Sequence, residues 1–235
     1  MMANAPNNTC WICGADSLTG EHKIKRSDLR DVFGNVTQAD ALYFHDNKRK
    51  NKPIGSLNAK LLKLSSICAY CNNTRTQPYD NAWENLSGAL RKLNPAIESG
   101  RVVRANRIFR HDTAREMLNV HLHFVKWFGC RIVEGNIPID ISAFAASIIT
   151  GKAHPNLYLK FGMGFSLNGK PMAGMSDVEV AERIADGQCA FATCFYNVSD
   201  FAVNVMFALD GEKRNGLIGA WHPRLGTNKL IISDF

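Results

Sequence analysis

A chain of 235 residues, 46% hydrophobic and 21% charged, has apolar surface enough for one large core or two small ones and is not a disordered polymer. No apolar run approaches the ~20 residues of a transmembrane helix, and the Asn- and Ala-rich start lacks the basic, apolar pattern of a leader, so a cytoplasmic protein with reduced thiols and no membrane partner is expected. The net charge of +7 is carried entirely by residues 1–115, with 18 Lys/Arg against 10 Asp/Glu, while residues 116–235 hold 10 against 11. Such a basic half suits an acidic polymer, nucleic acid first; the plainer reading is a solubilising surface.

Two Cys-x-x-Cys pairs, Cys10/Cys13 and Cys68/Cys71, bracket the first segment. In a reducing compartment they favour metal over disulfides, and two knuckles can turn four thiolates toward one tetrahedral zinc. The 54 residues between Cys13 and Cys68 then form a loop pinned at both ends. Within it Lys48, Arg49 and Lys50, followed by Pro53 and Gly55, predict an exposed basic loop that contacts phosphate or is a mobile insertion. A helix is predicted from Asp80, a candidate N-cap, through Trp83, Leu86, Leu90 and Leu93, with Asn94-Pro95 ending it. Arg101, Arg104, Arg107 and Arg110 would line one stripe only if that stretch were helical.

Thr113-x-x-Glu116 predicts the start of a largely apolar, central helix over Met117 to Phe128, stopped at Gly129. His121 and His123 on it read as packed or hydrogen-bonded histidines rather than ligands. Further helices are predicted from Asp140 to Thr150, before Gly151, and from Ser176 through Ala185, before Gly187. Alternation over Leu157 to Leu167 predicts a half-buried strand. Cys189–Tyr196 and Phe201–Leu209 read as a hairpin, with Leu217–Trp221 and Lys229–Ile232 completing an antiparallel sheet. Cys130, Cys189 and Cys194 read as buried core thiols.

Three stretches taken together, Cys10-Trp11-Ile12-Cys13, Glu21-His22-Lys23-Ile24 and Cys68-Ala69-Tyr70-Cys71-Asn72 with its continuation to Trp83, resemble the zinc-knuckle-supported HNH endonucleases. The resemblance covers residues 10 to about 86. It implies a ββα-metal zinc module over 1–95; the periodicities above add an α+β domain with an antiparallel sheet over 96–235, serving regulation, target recognition or self-association, so the whole chain is expected to be α+β.

It further implies a DNA endonuclease of phage or bacterial defence, leaving 5′-phosphate and 3′-hydroxyl ends. RNA is the other nucleic acid the residues allow. Glu21 and Asn72 would hold one Mg²⁺ or Mn²⁺, His22 would be the general base, and Asn58 would orient it. Asn72 could instead cap a helix. Arg75 would bind phosphate or pair with Asp80, and Asp80 could itself approach the metal. Cys10, Cys13, Cys68 and Cys71 would hold a structural Zn²⁺ apart from the chemistry. The competing expectation is a non-catalytic zinc module that binds nucleic acid.

Overall fold

The computed structural model describes residues 9–16, 18–93, 97–213 and 215–235. The chain opens with β1 (Thr19–His22) and α1 (Arg26–Phe33), makes a hairpin of β2 (Leu42–Phe44) and β3 (Lys52–Ile54), and returns in β4 (Lys63–Ile67). Strands β1 and β4 are antiparallel, pairing Glu21 with Leu64 and His22 with Lys63, with a register slip at Gly20. A wide helical turn, Cys71–Arg75, leads into α2 (Gln77–Arg91). The first segment is thus two paired strands followed by a helix, with the cysteines at the near ends of β1 and α2.

Helix α2 starts at Gln77, with Thr76 in the N-cap position, not at Asp80. Pro78 fits its first turn, where a missing N–H costs nothing, so Asp80 enters the helix as a buried side chain and not as its cap. The predicted stop at Asn94-Pro95 lies outside the described residues. The arginine stripe is absent: β5 (Val102–Arg104) is extended and only α3 (Ala105–Ile108), a single turn, follows it.

Helix α4 (Thr113–Gly135) is capped by Asp112, whose carboxylate accepts from the Arg115 N–H at 3.1 Å, one residue before the expected Thr113. It also runs through Gly129 instead of stopping there. The glycine serves packing: a Cβ at Gly129 would lie 2.5 Å from the Trp11 ring. The helix ends at Asn136, whose left-handed φ of 48° turns the chain. Helix α5 (Ser142–Thr150) follows expectation, with Asp140 accepting from the Ser142 N–H and Gly151 stopping it.

The remaining strands are β6 (Leu157–Met163), β7 (Ala173–Met175), β8 (Glu179–Glu182), β9 (Cys189–Val198), β10 (Phe201–Ala208) and β11 (Lys229–Ser233). They join β5 in one sheet of order β5-β11-β6-β10-β9-β7, with β8 also on β9. The predicted β9–β10 hairpin forms and turns at Ser199-Asp200. The predicted helix over 176–185 is corrected to strand. Its would-be cap, Ser176 Oγ, accepts from the Phe195 N–H at 2.9 Å, and β8 satisfies its backbone on β9 instead of internally. Strand β11 is antiparallel to β5 but parallel to β6, and 217–221 contributes a single bridge, Leu159 to Trp221, rather than a strand.

The chain is α+β, with mainly antiparallel sheets. Among the described residues no helix is long and apolar enough to cross a membrane. Edge-to-face contacts among Trp83, Phe124, Trp127, Tyr196 and Phe201 lock α2 and α4 against β9 and β10, and one apolar core continues from the knuckles to the sheet.

Candidate metal centre and adjoining cavity

The four knuckle cysteines converge. Their sulfurs all lie within 4.8 Å of one another, and Cys13 and Cys68 are 3.6 Å apart. Tetrahedral ligands about 2.3 Å from one centre stand about 3.8 Å apart, so the spacing fits a single ion. Among the described residues no other group of three or more Cys, His, Asp or Glu side chains does so. Gly14, at φ +77°, makes the first knuckle's tight return, and its N–H donates to the Cys10 carbonyl at 2.7 Å. A hydrogen bond from the Ala15 backbone helps bring the Cys13 thiol down to about 7, near the thiolate a metal requires. Burial pushes Cys10 and Cys71 upward instead. An ion bound there would offset that cost by taking the place of their protons.

Beside the cluster, β1, β4 and the turn after Cys71 enclose a cavity of about 300 Å³. Glu21, His22, Asn72 and Asp80 all line it, so three of the four predicted catalytic residues meet at one place. The fourth, Asn58, does not: it is exposed and its N–H bonds Ser56 Oγ. The neighbouring backbone takes the expected role. Nε2 of His22 lies 3.1 Å from the Leu57 carbonyl oxygen, which can only accept. Nε2 therefore carries the proton and Nδ1 is left as the basic nitrogen. Burial pushes the imidazole below its ordinary value, aided by Lys63 and Lys25 and opposed by the Leu57 carbonyl and Glu21, so the ring is neutral near pH 7.

The two oxygen donors expected to hold a divalent ion both border the cavity. Asn72 spends both protons of Nδ2, on Thr19 Oγ1 at 3.3 Å and the Gly20 carbonyl at 3.2 Å, and its side-chain oxygen has no hydrogen-bond partner among the described residues. Glu21 is buried, and only its Oε2 is engaged among the described residues, by Lys126 Nζ at 3.1 Å. Oε1 remains. Two hard oxygens bordering one cavity are the donor type that Mg²⁺ or Mn²⁺ takes.

Lys126 is the feature that sequence reasoning missed. Fully buried on α4, it also reaches both oxygens of Asp80, at 2.7 and 2.9 Å. Asp80 further accepts from His123 Nδ1 at 2.9 Å and pairs with Lys25 at 3.0 Å. Burial alone would raise the Asp80 carboxyl; Lys126, His123 and Lys25 outweigh it and hold the group below the usual carboxylate range. Lys126 itself is lowered by burial and raised more by Glu21 and Asp80, so it stays charged. The signal was present. Lys126 is the one Lys, Arg, Asp or Glu between Glu116 and Arg131, inside a long helix whose side chains there are almost all buried. His121 and His123 are both buried and hydrogen-bonded, as expected.

The basic residues divide. Lys48, Arg49 and Lys50 sit at the β2–β3 turn and do not line the cavity, and Arg49 pairs with Asp46 at 2.7 Å. Arg75 lies over the Tyr70 ring, 5.3 Å from its centroid, and neither lines the cavity nor pairs with Asp80. Lys25, Arg26 and Lys63 line it instead, and Arg26 and Lys63 have no carboxylate partner among the described residues. Cys130, Cys189 and Cys194 are buried thiols raised by burial to about 12, about 11 and about 12, unsuited to reaction. Compared with family models, with curated proteins and with solved structures, the chain matches none.

Proposed function

We propose that the protein is a metal-dependent DNA endonuclease of the HNH type, its fold pinned by Zn²⁺ at Cys10, Cys13, Cys68 and Cys71. The observation that carries this reading is the convergence of Glu21, His22 and Asn72 on one cation-rimmed cavity beside the cysteine cluster. A phosphodiester enters along Arg26 and Lys63, whose charges are not consumed by carboxylates. His22, fixed by the Leu57 carbonyl, takes a proton from water at Nδ1 as that water attacks phosphorus. Glu21 and Asn72 would hold Mg²⁺ or Mn²⁺, which when bound supplies charge stabilisation at the phosphate oxygens. Lys25, Lys126 and His123 keep Asp80 ionised and fixed at the cavity wall.

A second reading, a zinc-stabilised module that binds nucleic acid without cutting it, draws support from the engagement of Glu21 by Lys126. One experiment separates the two. Purified protein carrying one zinc per chain is incubated with supercoiled plasmid, with and without Mg²⁺ or Mn²⁺. Nicking should require the divalent ion, and His22→Ala should slow it by ~10²–10⁴-fold while zinc content and DNA affinity stay at the wild-type level. Cleavage by His22→Ala at the wild-type rate, or no nicking with any divalent ion, overturns the nuclease reading.

A further inference from the structure

Glu21 and Asp80 come from different elements, β1 and α2, yet both end on the same ammonium group. Two carboxylates brought to one point inside a protein need a cation between them. Elsewhere that cation is often a metal ion; here it is Lys126 Nζ, at 3.1 Å from Glu21 and at 2.7 and 2.9 Å from Asp80, with no exposed surface. Its stem belongs to α4, which packs on α2 and on β4, so the charge cannot swing out to solvent. Lysine suits this place better than arginine, because a compact ammonium can bond three oxygens at one point.

We propose that Lys126 is the fixed counter-cation of the centre: it occupies the position between Glu21 and Asp80 that a second divalent ion would take, and leaves one Glu21 oxygen for a single exchangeable ion. This rests on the reading that Glu21 and Asn72 hold a divalent ion. Lys126 is then a positioning residue, since it acts on the ion through Glu21 and does not itself line the cavity. Its charge also sets the affinity. A lysine bonded to the same carboxylate repels the incoming ion, which keeps binding weak and the stoichiometry at one.

The test is a Mn²⁺ titration of the zinc-loaded full chain, with free Mn²⁺ read by electron paramagnetic resonance. Glu21→Gln marks which binding belongs to the cavity. The wild type should take one Mn²⁺ that Glu21→Gln loses. Lys126→Met, uncharged and of similar length, should take a second Mn²⁺ or bind the first at least tenfold more tightly, while plasmid cleavage slows at least tenfold. A lysine with a purely structural role would lower the melting temperature and leave Mn²⁺ binding per folded molecule unchanged. An unchanged stoichiometry with affinity within twofold of wild type therefore overturns the proposal, even if the nuclease reading survives.

If the wild type takes no Mn²⁺ and Lys126→Met does, the one-ion reading falls and takes with it the proposal that Lys126 leaves room for a single ion. If neither takes it, both fall. Should Lys126→Met fail to fold, D80N/K126M removes one charge of each sign and leaves Glu21 with both oxygens free. It should bind Mn²⁺ at least tenfold more tightly than wild type, and equal affinity overturns the proposal.

Discussion

Asp28 has no exposed surface and accepts from four side chains: Trp83 Nε1, Ser87 Oγ and Arg91 Nη1, each at 2.8 Å, and Tyr196 OH at 2.7 Å. The Tyr196 oxygen in turn accepts from the Lys25 N–H at 2.8 Å, so the carboxylate ties the sheet to the residue that pairs with Asp80. Removing one partner of a buried charged pair leaves the other unpaired in low dielectric. Asp28→Ala should therefore cost about 3–5 kcal/mol in urea unfolding, far more than the ~1 kcal/mol of one neutral hydrogen bond. A loss under 1 kcal/mol would mean that water replaces these bonds. Single residues of this kind are hard to read from a chain. Cys10, Cys13, Cys68 and Cys71 announce themselves by spacing, and Glu21-His22 by adjacency. Leu57 acts through its carbonyl, which no side-chain identity encodes, and Lys126 reaches Glu21 across 105 positions.

At the scale of elements, the first knuckle and α4 are joined through a missing side chain. Trp11 lies against Gly129, and its Nε1 donates to Cys130 Sγ at 3.5 Å. Alanine is about 1 kcal/mol better than glycine in a helix interior, so propensity alone predicts that Gly129→Ala stabilises. The clash decides otherwise. A Cβ 2.5 Å from the Trp11 indole forces the ring or the helix to shift, an overpacking cost of about 1–3 kcal/mol. Gly129→Ala should unfold at lower urea and release zinc to a chelator several-fold faster than wild type; unchanged release would show that the knuckle does not lean on α4. The same glycine explains why α4 was expected to end early, since a helix stop and a close approach look alike in sequence. The β9–β10 hairpin and α5 were legible because their periodicity and turn residues agree with their packing. Residues 176–185 were not, because Ser176 serves β9 rather than a helix terminus.

The whole molecule carries a second buried titratable group, His121, His154 and His222, between α4 and the sheet. Burial, reinforced by His222, brings His154 down to about 4, and burial holds His121 well below its usual value. An unfolded histidine binds its proton near 6.5. Between pH 6.5 and 4 the unfolded chain thus holds more protons than the folded one, and stability falls as pH falls through that window. For His154 alone the loss amounts to about 3 kcal/mol at most. Urea midpoints should be flat above pH 7 and drop steadily below 6.5, and His154→Gln should flatten part of that slope; a midpoint that holds steady down to pH 4.5 would contradict it.

The reach from Glu21 to Lys126 also has a meaning in time. A ribosome adding about 5–20 residues per second needs roughly 5–20 s to make the 105 positions that separate them. Throughout that interval the knuckle cysteines, Glu21 and His22 already exist, but the helix that neutralises Glu21 and Asp80 does not. The cavity cannot take its final form on a nascent chain. The centre is complete only after α4 has docked, so a half-made polypeptide carries the cysteines and Glu21-His22 without the ammonium that holds Glu21 and Asp80 in place.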